Sequence, residues 1–189
     1  MSEKSDSLSI FRQIAILIAV VLSATLYATT ILIVSTILPQ MQGTLSATDD
    51  EISWVMTFNI LATAVVTPMT GWLVAKMGSR AVMVWSVAGF TLSTYFCGAA
   101  TSLETLIFWR VIQGGISAPI TPLAQSIILD NFPKRRHGAA IGLFGMGVMC
   151  GAFIGPTFGG VIADLYTWRW SFYLLVPMSI AAVFMLIVA

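Results

Sequence analysis

A stripe of polar residues runs along the fourth of six long apolar segments in this sequence. Counted at 100° per residue in an α-helix, its members fall within an arc of about 120°. A charged side chain in lipid costs roughly 2.5–3.5 kcal/mol or more, so Arg110 and its neighbours predict a hydrated cavity. The alternative is that Arg110 extends to the outer interface, where Glu104 lies nearby. The stripe consists of Arg110, Gln113, Gly114, Ser117, Thr121 and Gln125.

Weaker polar faces occur on the first and second apolar segments. In the first segment, Ser23, Tyr27 and Thr30 share one helix face. Hydrogen bonds between helices explain such faces as well as a cavity lining does, so both interpretations stay open. The corresponding residues of the second segment are Asn59, Thr63, Thr67 and Thr70.

Glycines recur every four residues in the fifth apolar segment. Glycine at this spacing removes the side chains from one helix face and lets a neighbouring backbone approach closely. The interleaved Pro156 should also kink the helix. The pattern therefore predicts a tight helix seam, formed by Gly147, Gly151, Gly155, Gly159 and Gly160 together with Pro156.

The connection between the second and third segments reads Gly71-Trp-Leu-Val-Ala-Lys-Met-Gly78-Ser-Arg80. Gly71 and Gly78 permit a tight turn there. The cations Lys76 and Arg80 would hold that turn at the cytoplasmic face.

Few residues here could do enzyme chemistry or bind a metal or cofactor. His137 is the only histidine and lies in a basic loop, so we expect no histidine metal site and no catalytic triad. Cys97 and Cys150 lie in apolar runs, where cysteines are usually small buried hydrophobes. No nucleophile–base pair is visible at membrane depth, which argues against an intramembrane enzyme.

Composition places these residues in an integral membrane protein. The 189 residues are 58% hydrophobic and only 9% charged, whereas soluble domains carry about 25% charged residues. The net charge of +1 gives no basic patch for nucleic acid. Six segments are long enough for transmembrane helices, which need about 20 apolar residues. After a polar tail at 1–12, we place them near residues 13–38, 52–75, 81–100, 104–129, 138–163 and 171–189.

Basic residues predict the orientation of these spans. Seven of them fall in the N-terminal tail and the even-numbered loops, while only Arg169 falls in an odd-numbered loop. Since cytoplasmic loops carry the excess of lysine and arginine, the N-terminus should be cytoplasmic. The last span has no charged flank after it, so we expect the chain to be truncated or to be one half of a longer protein. The seven residues are Lys4, Arg12, Lys76, Arg80, Lys134, Arg135 and Arg136.

These motifs together resemble the major facilitator superfamily, and most closely its fourteen-span drug:proton antiporters of the EmrB/QacA type. The stretch from Gly71 to Arg80 resembles the superfamily's loop motif. Leu106-x-x-x-Arg110-x-x-Gln113-Gly114 is similar to its fourth-span motif. The most specific similarity is Gly151-x-x-x-Gly155-Pro156-x-x-Gly159-Gly160, which resembles the fifth-span antiporter motif at every fixed position.

The resemblance implies roles for several of these residues. Arg110 and Gln113 would take part in proton coupling, and the fifth-span motif would form a seam between two halves of an exporter. Two positions depart from the family's pattern. Ala75 stands where the loop motif has an acidic residue, and Thr30 stands where many members carry an aspartate in the first span.

The resemblance also implies a fold and a function. The fold would be an all-α, six-helix membrane bundle built from 3+3 repeats, the N-terminal half of a transporter whose C-terminal half is absent. The function would be secondary active export of amphipathic small molecules coupled to protons by alternating access, without a cofactor, in a bacterial inner membrane. A periplasmic adaptor (membrane fusion) protein is a further implied partner. Alternatives are a nutrient uptake permease of the same superfamily and a half-size protein that only binds or regulates a partner.

Overall fold

A computed structural model describes residues 10–188 of the chain, and these residues form α-helices joined by short connections. The expected tail at 1–12 lies partly outside the described residues, and the first helix already begins at Ile10. The α-helices are α1 (Ile10–Leu45), α2 (Asp49–Val66), α3 (Thr70–Met77), α4 (Ser79–Ala99), α5 (Leu103–Ser117), α6 (Ile120–Asn131), α7 (His137–Leu165) and α8 (Trp168–Val188).

Five of the helical segments are long and apolar enough to cross a membrane. They are the first span (α1), the second (α2, a short 3₁₀ turn and α3), the third (α4), the fifth (α7) and the sixth (α8). The fourth span consists of α5 and α6, of 15 and 12 residues. Neither piece alone reaches the roughly 20 residues that a crossing needs. The fourth span is therefore a helix broken between Ser117 and Ile120, where Pro119 lies.

Local signals fix where several helices begin and end. Thr48 forms a capping box with Glu51 at the start of the second span, and Ser102 caps α5. Gly78 ends α3 with a φ of 84°, a conformation that glycine adopts without steric cost. Gly71 lies inside α3 instead, so of the two glycines in this loop only Gly78 makes the turn.

Three helix pairs dominate the packing of the bundle. The first span packs against the fifth, the second against the fourth, and the third against the sixth. In a 3+3 repeat, the first, second and third spans are equivalent to the fourth, fifth and sixth. The contact between the second and fourth spans is then equivalent to the contact between the fifth and first spans. The contact between the third and sixth spans is equivalent to itself. This pairing has the form that 3+3 repeats produce. Its centre holds the buried side chains Val34, Ile37, Phe90, Leu106 and Phe172.

Candidate functional site

The guanidinium of Arg110 lies inside the bundle and is 1% exposed. Its Nε donates to the carbonyl of Val55 in the second span, at 3.4 Å. Its Nη1 donates to Oε1 of Gln113, at 2.5 Å. The amide of Gln113 in turn donates to the hydroxyl of Thr94 in the third span, at 2.7 Å. One cation therefore joins three spans, and within residues 10–188 no carboxylate bonds to it.

Side chains of the second span donate back to the fourth span. The amide of Asn59 donates to the carbonyl of Arg110 at 2.8 Å. The hydroxyl of Thr63, one turn later, lies 3.1 Å from the carbonyl of Gly114 and 2.9 Å from that of Asn59, so its single proton is shared between the two helices. Tyr27 of the first span shares a hydrogen bond with the same hydroxyl, at 3.1 Å. These bonds and those of Arg110 form a network that we call the polar junction.

Gly114 is needed where the two helices of the polar junction cross. A Cβ at this position would collide with the backbone carbonyl of Asn59, an atom that cannot move aside as a flexible side chain can. The α5 helix ends at Ser117, and Pro119 has no N–H to continue the ladder. The carbonyl of Gly114 accepts from the hydroxyl of Thr63, while the hydroxyl of Ser117 donates to the carbonyl of Gln113. The N–H that Pro119 lacks would have bonded the carbonyl of Gly115, so the helical ladder is interrupted one residue beyond Gly114.

The structure divides the polar stripe of the fourth span into two parts. Arg110, Gln113, Gly114 and Ser117 are buried together. Beyond the break at Pro119, the stripe's last two members differ, since Thr121 is half-buried and Gln125 is exposed. An apolar groove of about 600 Å³ lies between the second, third and fourth spans, and no member of the stripe lines it. The buried part of the stripe bonds to the neighbouring spans of this bundle, and its role in lining a hydrated cavity stays a prediction.

Thr30 occupies the first-span position at which many members of the resembled family carry an aspartate. It is 1% exposed, and its hydroxyl donates to the carbonyl of Leu26, one turn back in the same helix, at 2.8 Å. No other spanning helix receives a bond from this hydroxyl. Within the part of the chain that the structure describes, no group of three or more His, Cys, Asp and Glu side chains could hold a metal ion.

The glycines of the fifth span face the first span. A Cβ at Gly155 would lie 2.6 Å from Cγ2 of Thr29 and 3.4 Å from its Cα, and a Cβ at Gly159 would lie 2.8 Å from Cγ1 of Ile33. Gly160 is less tight, 3.4 Å from Cγ2 of Thr36. Across Gly147, Gly151, Gly155 and Gly159, which we call the glycine seam, the opposing residues of the first span are Val21, Thr25, Thr29 and Ile33.

The glycine seam lies within the six-helix bundle, because the bare face of these glycines meets the first span. The seam between two halves of a transporter that the resemblance implied stays a prediction. The helix also continues from His137 to Leu165 through Pro156. Among the described residues, one side-chain hydrogen bond joins the two helices, from Gln40 to Asp164 beyond the end of the seam.

Sequence reasoning missed the partners of both regions. Val55 contributes only a backbone carbonyl, which no side-chain pattern reveals. Thr94 was an ordinary residue of an apolar segment. The four-residue spacing of Val21, Thr25 and Thr29 matches that of the glycines and could have identified the opposing helix.

The cations of the loop motif lie at the end of the bundle that also holds the 3₁₀ turn Lys134–Arg136. Lys76 lies over the ring of Trp72, with its Nζ 5.2 Å from the ring centroid. Arg80 donates from Nη2 to the carbonyl of Ile187 in the sixth span, at 2.7 Å. Arg80 thus fastens the start of the third span to the sixth.

At the other end of the bundle, the first turn of α2 holds the pKa of one carboxyl group low, just before the predicted span 52–75. The pKa of Glu51 is lowered by hydrogen bonds from the backbone N–H and then the hydroxyl of Thr48. Carboxylates near helix N-termini are favoured because unpaired N–H groups point toward them.

Comparisons with known proteins agree with this architecture. A sequence model of the family described as Major Facilitator Superfamily matches residues 18–189. The "Multidrug export protein EmrB" of Escherichia coli (strain K12) is 38% identical over 148 residues, which are 78% of this chain and 29% of that protein. The "Probable multidrug resistance protein EmrY" of the same strain is 39% identical over 143 residues, which are 76% of this chain and 28% of that protein. The chain thus matches less than a third of the length of these relatives.

A solved structure of the proton:xylose symporter XylE has a similar fold. The TM-score is 0.85 at 12% sequence identity, and the match covers 96% of this chain and 46% of that one. At this identity the likeness concerns the fold alone.

Proposed function

Because this chain belongs to the major facilitator superfamily, we propose that it forms the N-terminal six-helix half of a proton-coupled exporter of small amphipathic molecules. The observation that carries the direction of transport is its 38% identity to a protein named for multidrug export. The other half would be a second bundle of similar size, and alternating access would follow from rocking of the two bundles around a site between them.

Arg110 and Gln113 are the coupling residues in this proposal. Arg110 is a buried cation bonded to neutral groups. A cation within about 4–6 Å lowers a carboxyl pKa by roughly 1–3 units, so its approach would favour proton release from a carboxylate of the other half. Thr30 has no carboxyl group that could bind and release a proton. The proton-binding carboxylate would therefore have to come from outside this bundle.

The location and partners follow from the same proposal. The protein would span a bacterial inner membrane with its N-terminus in the cytoplasm. The reason is that the basic residues lie in the N-terminal tail and the even-numbered loops, and cytoplasmic loops carry the excess of lysine and arginine. Its substrates would be amphipathic, because the grooves between these helices are apolar. A periplasmic adaptor protein would continue the export route beyond the membrane.

Transport in everted membrane vesicles tests this function. Vesicles that contain the complete transporter should accumulate a fluorescent amphipathic dye when a proton gradient is imposed, and a protonophore should stop the accumulation. Accumulation only in right-side-out vesicles would favour the uptake permease. Absence of transport in both orientations, with the protein inserted and a broad dye panel tested, would favour a protein that binds or regulates a partner.

A further inference from the structure

A small cavity opens at the end of the bundle where the loop cations lie. It has a volume of about 240 Å³ and lies between the first, third, fourth and sixth spans. Pockets for drug-sized ligands hold roughly 300–1,000 Å³, so this cavity is small for a whole drug. It shares no lining residue with the polar junction.

The rim of this cavity is basic. Arg12 of the first span and Arg80 of the third span both line it, together with the hydroxyl-bearing Ser79. No carboxylate lines it among the described residues. Arg80 uses Nη2 to bond the sixth span, and a guanidinium has five N–H donors, so further donors remain for an anion.

The floor of the cavity is apolar. Val20 and Met83 are fully buried there, and Ile16, Ile127 and Leu186 complete the apolar lining. A basic rim over an apolar floor, at the end of a membrane-spanning bundle, matches a molecule that carries a phosphate on an acyl chain. A free anion would use the rim and leave the floor unused.

We propose that this cavity binds the headgroup phosphate of an anionic phospholipid, with Arg12 and Arg80 at the phosphate and the apolar floor against the first carbons of the lipid. The lipid would join the ends of four spans at the membrane surface. The inference depends on the chain being a membrane protein and is independent of the direction of transport or its coupling.

Spin-labelled lipids test the proposal directly. The protein is reconstituted in phosphatidylcholine vesicles with a trace of spin-labelled phosphatidylglycerol or phosphatidylcholine, and the motionally restricted fraction of each is measured. The wild type should prefer phosphatidylglycerol. Arg80→Gln should reduce that preference about five-fold, the equivalent of roughly 1 kcal/mol for one basic residue near an anionic surface. Equal binding of both lipids by the wild type would overturn the proposal.

Two further variants separate a built site from general attraction. Arg136→Gln removes the same charge at the same end of the bundle but outside the cavity, so it should leave the preference nearly unchanged. Ile16→Trp fills the cavity at constant charge and should reduce the preference. If Arg136→Gln acts as strongly as Arg80→Gln, or if Ile16→Trp has no effect, the cavity is not the site. Displacement of the labelled lipid by inorganic phosphate alone would show that the ligand is a free anion.

Discussion

The polar junction and the glycine seam occupy equivalent places in the bundle but hold their helices together by different means. Exchange of the two three-helix repeats maps the second–fourth pair onto the fifth–first pair. In the polar junction, Asn59 and Thr63 donate to backbone carbonyls of the fourth span, and Arg110 donates back to Val55. In the glycine seam, contact is made by surface shape alone.

This difference in the type of contact indicates which of the two helix pairs has a fixed register. Directional bonds at one-turn spacing are satisfied in only one alignment of the second and fourth spans. The glycine seam has no such bond within it, and Thr25 Oγ1, which lies there, has no hydrogen-bond partner. We therefore expect the second and fourth spans to move as one unit, while the first and fifth spans can adjust against each other.

The largest expected effect comes from filling the glycine seam. Gly155→Leu would drive a side chain into Thr29, and overpacking of this kind costs about 1–3 kcal/mol or more. Export per inserted molecule should be abolished, and the melting temperature in detergent should fall. Gly145→Leu is the matched control on the same helix, because a Cβ there meets no atom within 4 Å. Equal losses in both variants would mean that the seam is not specifically tight.

The second-largest effect is expected from removing the charged side chain of the polar junction. Arg110→Ala leaves the carbonyl of Val55 and the amide oxygen of Gln113 without this donor, and bonds to charged groups contribute about 1.5–3 kcal/mol. Gradient-driven export should be lost while substrate binding is mostly kept. Arg110→Lys should restore export only in part, because lysine lacks the planar fork.

As a control for Arg110→Ala, the export rate is divided by the amount of protein inserted in the membrane, and dye binding is measured on the same samples. Normal export per inserted molecule by Arg110→Ala would show that the guanidinium takes no part in coupling. Full rescue by lysine would show that a positive charge is sufficient and that the fork geometry is not required.

A smaller effect isolates one interhelical hydrogen bond. Thr63→Val removes the hydroxyl that bonds Gly114 and Tyr27, and such bonds in membranes contribute about 0.6 kcal/mol on average and up to about 1.7. Thr57→Val is the control, since that hydroxyl is exposed and bonds only within its own helix. Unfolding measured in detergent with denaturant should separate the two variants, and equal stabilities would contradict the proposed register lock.

The smallest effect is a pH dependence at the start of the second span. Since the pKa of Glu51 is lowered from its ordinary 4.5 in the folded protein, its carboxylate stabilises the fold above that value, and the stabilisation is lost as the pH falls through the lowered pKa. Glu51→Gln should flatten the melting-temperature profile at pH values below 4.5. If the melting temperature of Glu51→Gln depends on pH as that of the wild type does, the capping box is not the source of this pH dependence. The glycine seam contains no ionisable side chain, so it should not titrate.

Helix periodicity predicted which residues share a face better than it predicted what that face contacts. Arg110, Gln113, Gly114 and Ser117 are buried together as their spacing indicated. Gln125 does not join them, because the helix breaks at Pro119 and the second piece buries a different face. A backbone carbonyl such as that of Val55 has no signature in the sequence, so the partner of the charge could not be predicted.

The repeat illustrates the same limit. Inspection of the sequence does not reveal it, because the two equivalent junctions use different residue types, amide and hydroxyl side chains in one and glycines in the other. What the repeats share is the helix pairing, and pairing becomes visible only in three dimensions. The glycine spacing nevertheless predicted a close helix contact correctly and left only the identity of the opposing helix open.

The bare face of the fifth span also has a genetic consequence. Glycine codons share their first two bases, and any missense change at either base adds a side chain. At Gly147, Gly151, Gly155 and Gly159, the first atom of that side chain would lie closer than 3.0 Å to the first span. No single-base missense mutation at these four codons can therefore leave the seam unaltered, whereas the same change at Gly142 meets no neighbour within 4 Å. The gene should therefore carry almost no missense variation at these four codons, while synonymous changes at their third base stay neutral.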